Sequence, residues 1–251
     1  MIKKPKVIAV FLAYNVANTL KKFWQTLPKK YFDECILVDD GSKDKTFEIA
    51  KSLKGITVYK NPINLGYGGN LKRALSIALT HGADIIVDIH PDNEYKPSAI
   101  FPALEKIQKE GYQFILGNRF AEKDSYRKNG MFTWKVLPIK TLNFIDGVLL
   151  GVKIHDLHQG FRVYTKNFLT KVNFIQNSDK YLFSFELIAQ AVLAKIKIGE
   201  VPVETKYSGK KRGASLKNVI KYSLGTFKVL LLYFMAKAGI KNKIFIARAA
   251  R

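Results

Sequence analysis

The chain has 251 residues, a quarter of them charged, and a formal net charge of +22. That length allows one large domain or two small ones with a substantial core, and an apolar fraction of 47% excludes wholesale disorder. The single cysteine, Cys35, excludes an intramolecular disulfide and, set in an apolar stretch, reads as a buried structural thiol.

The amino terminus, MIKKPKVIAVFLAYN, places basic residues before an apolar run. The run is short and has no small-residue cleavage site, so it reads as a first buried strand, Val7–Ala13, and not as a signal peptide. A helix is predicted over Thr19–Thr26, a strand over Cys35–Val38, a helix from about Lys45 to Leu53 and a strand over Ile56–Tyr59. A glycine-rich loop leads to a helix over Leu71–Thr80 and a fourth strand, Ile85–Asp88. A helix over Ile100–Lys109 and a fifth strand, Phe114–Leu116, follow. Strands without polar alternation, separated by helices, predict a doubly wound, mostly parallel α/β sheet covered on both faces.

Near the carboxyl terminus Ser215 opens a predicted helix in which Val219, Ile220, Leu224, Phe227 and Leu231 recur at helical spacing. Val229–Ala236 is an apolar run bounded by Lys228 and Lys237, and no stretch reaches the ~18 uninterrupted apolar residues expected of a membrane span. The expected division is a catalytic domain over 1–212 and a basic amphipathic helical extension over 213–251.

Polar residues gather where the predicted strands end. Tyr14 and Asn15 follow the first, Asp39 and Asp40 the second, His90, Asp92 and Glu94 the fourth, and Asn118 and Arg119 the fifth. Open α/β sheets bind ligands beyond the carboxyl ends of their strands, so these clusters point to one site.

The motifs VIAVFLAYN, ILVDDGSKDKT, NLGYGGN, HPDNEYKP, GNRF, HDLHQGFRVY and EVPVETKY occur in an order that resembles the family 2 glycosyltransferases. The likeness is closest to the dolichol-phosphate mannosyltransferase-like, polyprenyl-phosphate glycosyltransferase branch. It implies a GT-A type fold and transfer of one sugar from a nucleoside diphosphate. Tyr14, Asn15, Asp39, Asp40, Gly68 and Asn70 are then expected to border the nucleotide sugar. A carboxylate can accept ribose or base hydrogen bonds, and a glycine-rich helix start favours phosphate. The alternatives are a cap for an aspartate and a packing role for Tyr14.

Aligning Pro97 with the family pattern sets His90 and Asp92 on its Asp-x-Asp and Glu94 on its Gln. Asp92 and Glu94 are then expected to hold a divalent metal, Mg²⁺ or Mn²⁺, with His90 either a ligand or a neighbour. Arg119, Arg127, Lys135 and Arg162 are expected to receive an acceptor phosphate. Asp156 matches an acidic family position, either as general base or as an acceptor-orienting group, while Gln159 stands where the family usually has Thr or Ser. Asp92, Asp156 and Arg119 are thus the catalytic candidates.

An acceptor hydroxyl needs a base, whereas a lipid phosphate is already ionised at neutral pH, its second pKa being about 6. The charge excess suits the phosphate, giving a cytoplasmic enzyme peripherally attached to an anionic membrane by its carboxyl-terminal helix. That helix has two other readings: packing on the catalytic domain, or pairing in a homodimer. The rival functions are transfer to a saccharide hydroxyl with Asp156 as base, and nucleic-acid binding. No recognisable nucleic-acid motif accompanies the charge, so nucleic acid is not an expected partner.

Overall fold

The computed structural model describes residues 4–92, 96–122, 126, 130–205 and 216–246. Glu94, Arg127 and the expected domain boundary at 212/213 lie outside them. Five strands lead the chain: β1 (Val7–Ala13), β2 (Glu34–Asp39), β3 (Thr57–Lys60), β4 (Ile85–Asp88) and β5 (Phe114–Asn118). Between them lie α1 (Ala17–Thr26), α2 (Thr46–Ser52), α3 (Gly66–Thr80) and α4 (Ile100–Glu110). Then come α5 (Thr133–Leu150), β6 (Arg162–Thr165), α6 (Lys166–Lys171), α7 (Phe183–Leu193), β7 (Ile198–Pro202) and α8 (Leu216–Lys237).

The strands form one sheet in the order β3-β2-β1-β4-β6-β5-β7. Every pairing is parallel except those of β6, which runs antiparallel to both β4 and β5. Side chains alternate along a strand, and β1 shows the consequence. Ile8, Val10 and Leu12 enter one core with α3, α6, α7 and α8, while Val7, Ala9, Phe11 and Ala13 enter another with α1, α2 and α4. Cys35 sits in that second core, and burial pushes its thiol up to about 12, so it is inert.

Helix α8 is part of the body. Val229, Leu230 and Tyr233 are buried in the first core. Burying Val229 and Leu230 contributes about 1.5–3 kcal/mol each. Among the described residues one helix, 218–237, is long and apolar enough to cross a membrane by length and composition. The Val229 face is instead occupied by protein.

Candidate active site

The parallel strands bring their carboxyl ends to one edge. Because β6 runs the other way, its amino end reaches the same edge: Arg162 is registered with Asp88 of β4 and Leu116 of β5. All the described polar clusters therefore share one rim.

On the β1–β2 side the loops are laced together. Asn15 stands at φ 54, a left-handed conformation that Asn tolerates. Its backbone N–H donates to Ser42 Oγ (2.9 Å), and its Oδ1 accepts from the Lys43 N–H (2.9 Å). Asp44 accepts from the Ala17 and Thr46 N–H groups and so starts α2. Tyr14 stays exposed at the rim. Asp39 is fully buried; its Oδ2 accepts from the Ser42 N–H (3.2 Å), and its Oδ1 has no hydrogen-bond partner among the described residues. An acceptor left so at a rim is available to a ligand donor.

Asp40 is engaged differently. Its carboxylate accepts from Asn61 Nδ2 (2.7 Å) and from the N–H groups of Leu65 (2.8 Å) and Gly66 (3.0 Å). Asn70 is also internal: its Oδ1 accepts from Asn61, and its Nδ2 donates to the Val38 carbonyl. Asp40 and Asn70, expected to border the nucleotide, both hold the 61–70 segment to β2.

Gly68, expected to border the donor in a glycine-rich loop, is also engaged within the protein. Helix α3 begins at Gly66, so Gly68 lies in its first turn and not in a loop. The N–H groups of Gly68 and Gly69 donate to the Asp179 carbonyl (2.8 and 3.2 Å) instead of offering themselves to a phosphate. A Cβ on Gly68 would stand 2.2 Å from the Ser178 carbonyl oxygen. The glycines admit the chain's own backbone, and Lys72 fastens the contact through Asp179 (2.7 Å).

At the fourth strand end, Asp88 is buried and His90 stacks on Tyr67 (centroids 5.6 Å, 17° between planes). Tyr67 stacks in turn on the exposed ring of Tyr181 (5.3 Å). The following turn is tied to α1, where Thr19 Oγ1 donates to the Pro91 carbonyl (2.9 Å). Burial pushes the Asp88 carboxyl above the ordinary range against the pull of His90 and Arg162, and Tyr164 donates its O–H to Asp88 Oδ2 (3.2 Å). Arg162 is itself buried, with Tyr67 Oη at 3.4 Å. It lies beneath the rim, where it balances the Asp88 side of this cluster, and not at the surface an incoming phosphate would meet first.

A buried bidentate ion pair lies past β5. Arg119 donates through Nε to Asp156 Oδ2 (2.7 Å) and through Nη2 to Oδ1 (2.8 Å), and its backbone N–H adds a third bond (3.1 Å). Asp156 is 0% exposed. A buried carboxylate held on both oxygens by a guanidinium is a poor general base; in this geometry Asp156 orients Arg119. Gln159 folds onto its own motif, bonding both the N–H and the carbonyl of Phe161, and its Oε1 sits where a Cβ on Gly117 would be 2.9 Å away. His158 joins two helices, with Nδ1 at 3.1 Å from Tyr222 Oη of α8 and Nε2 at 3.1 Å from Asp146 Oδ2 of α5. Lys135, at the start of α5, lies over the rings of Phe132 and Trp134, and desolvation lowers its pKa.

Among the described residues no three His, Cys, Asp or Glu side chains converge as a ready metal cage. One carboxylate, Asp92, beside substrate phosphates is nonetheless how Mg²⁺ is commonly held, so the donor set fits a metal that arrives with its nucleotide.

Sequence reasoning did not single out Tyr67, Asn61, Tyr222, Asp146 or Asp179. Tyr67 lay within a quoted motif; the others become visible only when the chain folds.

Comparison with known proteins supplies the context. The sequence model described as glycosyl transferase family 2 matches residues 9–172. A UDP-N-acetylglucosamine–dolichyl-phosphate N-acetylglucosaminyltransferase of Methanococcus voltae is 28% identical over 218 residues, covering 80% of this chain and 86% of the relative. The polyprenol monophosphomannose synthase of Mycolicibacterium smegmatis is 26% identical over 220 residues, 85% of this chain and 78% of the relative. Among solved structures, glucosyl-3-phosphoglycerate synthase of Mycobacterium tuberculosis, crystallised with Mn²⁺, UDP and phosphoglyceric acid, aligns with a TM-score of 0.66 at 18% identity. That alignment covers 95% of this chain and 80% of the other, and it shows the shared GT-A-like fold.

Proposed function

Since the chain belongs to glycosyl transferase family 2, we propose that it moves a hexose or N-acetylhexosamine from a nucleoside-diphosphate sugar to a polyprenyl (dolichyl) phosphate, with inversion. The relatives named for dolichyl or polyprenyl phosphate support this acceptor class. The single observation that carries the choice is the bidentate Arg119–Asp156 pair. It takes away the carboxylate that a saccharide hydroxyl would need as base.

A phosphate monoester needs no base. One of its oxygens attacks the anomeric carbon from the face opposite the leaving group. The bond from that carbon to the donor diphosphate breaks, and the nucleoside diphosphate departs with the electron pair. The protein's part is positioning and charge. Asp39 and the rim at Tyr14 and Asn15 receive the nucleoside. Arg119, fixed by Asp156, faces the incoming phosphate with Lys135 as a second cation. A divalent ion, Mg²⁺ or Mn²⁺, held by Asp92 would neutralise charge on the leaving diphosphate. Donor and acceptor meet at the cytoplasmic face of a membrane, to which the enzyme is peripherally attached.

The test is a panel of nucleotide sugars offered with a polyprenyl phosphate, scored for glycolipid. Transfer to saccharide hydroxyls but not to the lipid phosphate rejects the acceptor. Undiminished transfer by Asp92→Asn, or in excess chelator, rejects the metal site.

A further inference from the structure

Helices α5 and α8 pack against each other, and each turns large apolar side chains to the outside. On α5, Trp134, Leu137 and Phe144 are exposed, Leu137 by 74%; on α8, Leu224, Phe227 and Leu231 are exposed, Leu224 by 66%. The α8 residues follow steps of three and four, which is one face of a helix. The same helix buries Val229, Leu230 and Tyr233 on its other side. It therefore has two apolar faces, and the protein covers only one.

The charges around the open stripes have a single sign. Lys140 on α5 and Lys221, Lys228 and Lys237 on α8 are exposed. The sequences of the two helices contain one acidic residue, Asp146, and it is buried against His158. Lys221 and Lys228 lie seven residues apart, so they line one edge of the α8 stripe. Apolar stripes edged by lysines, with Trp134 at the end of α5, have the chemistry of a bilayer interface: rings and chains enter the acyl boundary while the ammonium groups remain at the headgroups. A second copy would bring the same lysines face to face in a chain of net charge +22.

We propose that the α5 and α8 stripes form one face that lies on an anionic lipid bilayer. The proposal rests on the preceding reading only for what the membrane supplies, a lipid-borne acceptor. Its placement follows from His158, which links both helices to the loop carrying Asp156. Seating the helices at the headgroups sets Arg119 and its partner beside the lipid phosphates. The attachment expected of the carboxyl-terminal helix alone thus becomes a two-helix footprint.

The experiment is co-sedimentation of the full chain with phosphatidylcholine vesicles, plain or with about a third phosphatidylglycerol. The wild type pellets with the anionic vesicles at least about tenfold better than with neutral ones, and added salt weakens this. Leu137→Glu and Leu224→Glu, two exposed sites on different helices, each lower partitioning about tenfold or more, as losing one inserted leucine requires. Unchanged melting temperatures show that both variants are folded. Ile63→Glu, exposed elsewhere, partitions as the wild type does. Equal pelleting on neutral and anionic vesicles overturns the proposal, as does wild-type pelleting by both stripe variants. So does a stripe variant that converts a dimer to monomer while the wild type ignores vesicles, since the occupant would then be a second copy. Vesicle binding as expected, with no transfer to any polyprenyl phosphate, upholds this face and rejects the enzymatic reading. Transfer to a short, water-soluble acceptor without vesicle binding does the reverse.

Discussion

The two halves of the rim use their polar residues in opposite ways. On the β1–β2 side several carboxylates and amides are consumed in building the site. Asp40, Asn61 and Asn70 hold the start of α3, and Asp44 starts α2. Only Asp39 retains a buried oxygen with no partner among them. Beyond β5 the polar residues are paired by charge, Arg119 with Asp156 and, deeper, Arg162 beside Asp88. The first half fixes its loops with neutral or charge-assisted hydrogen bonds to backbone. The second concentrates cations, of which Arg119 is aligned by the buried Asp156 and Arg162 lies in register with the buried Asp88. The same residue type, a buried aspartate, is scaffold in one half and guanidinium holder in the other.

The largest test of this contrast removes one member of the buried ion pair. Asp156→Ala and Arg119→Ala each leave an uncompensated charge in an environment where the acid is 0% exposed. Each is expected to cost about 3–5 kcal/mol by urea denaturation, with the double variant costing little more than either single. Additive costs would show that the two groups act separately.

Gly68→Ala is the next largest. Were Gly68 present to let a ligand approach, alanine would stabilise the helix by roughly 0.5–1 kcal/mol and harm only donor binding. The added Cβ instead meets the Ser178 and Lys180 carbonyl oxygens at 2.2 and 2.8 Å. A loss of about 1–3 kcal/mol is expected from overpacking, measured by thermal melting without substrate.

That glycine also marks the limit of what the sequence revealed. Strands β1 and β4 are found at their expected bounds because unbroken β-branched and apolar runs end at polar residues. Helix α3 starts five residues before the expected Leu71, since glycines discourage a helix unless something else stabilises its start. Here the Asp179 carbonyl and the Asp40 carboxylate cap that start, and neither contact is visible locally. Strands β6 and β7 were not assigned: RVYT is framed by an arginine and a threonine, and IGEVP holds a glycine, a glutamate and a proline, so neither is an unbroken apolar run. HDLHQGFRVY was legible as a motif, but only the antiparallel register of β6 brings Arg162 beside Asp88. The motifs gather at one edge of the sheet, while which oxygen is free and which is engaged depended on partners distant in sequence.

A smaller effect separates two adjacent aspartates. Asp40→Asn should lose about 1–3 kcal/mol of stability, because the amide nitrogen that replaces one oxygen cannot accept, so either the Leu65 or the Gly66 N–H loses its acceptor. Asp39→Asn should leave stability within about 0.5 kcal/mol and weaken binding of the nucleoside diphosphate about tenfold, read by calorimetry across a nucleotide panel. The opposite assignment of effects would exchange their roles.

The smallest effect lies at the far end of β2, where Glu34 repeats the acid–cation theme in a more solvated setting. Burial pushes its carboxyl up, but hydrogen bonds from Lys6 and His81 outweigh this and hold it below the usual value of 4.5. Lys6 Nζ stands 3.0 Å and His81 Nδ1 2.7 Å from its oxygens. A carboxyl with a folded pKa below its unfolded one binds fewer protons folded, so its stabilisation is complete above the unfolded value. It fades as pH falls through the folded one. Glu34→Gln should therefore reduce the melting temperature slightly at neutral pH, with the difference from wild type closing as the pH drops below about 4. A difference that is constant with pH would mean that Glu34 acts by shape alone, and that charge pairing organises only the buried cations past β5.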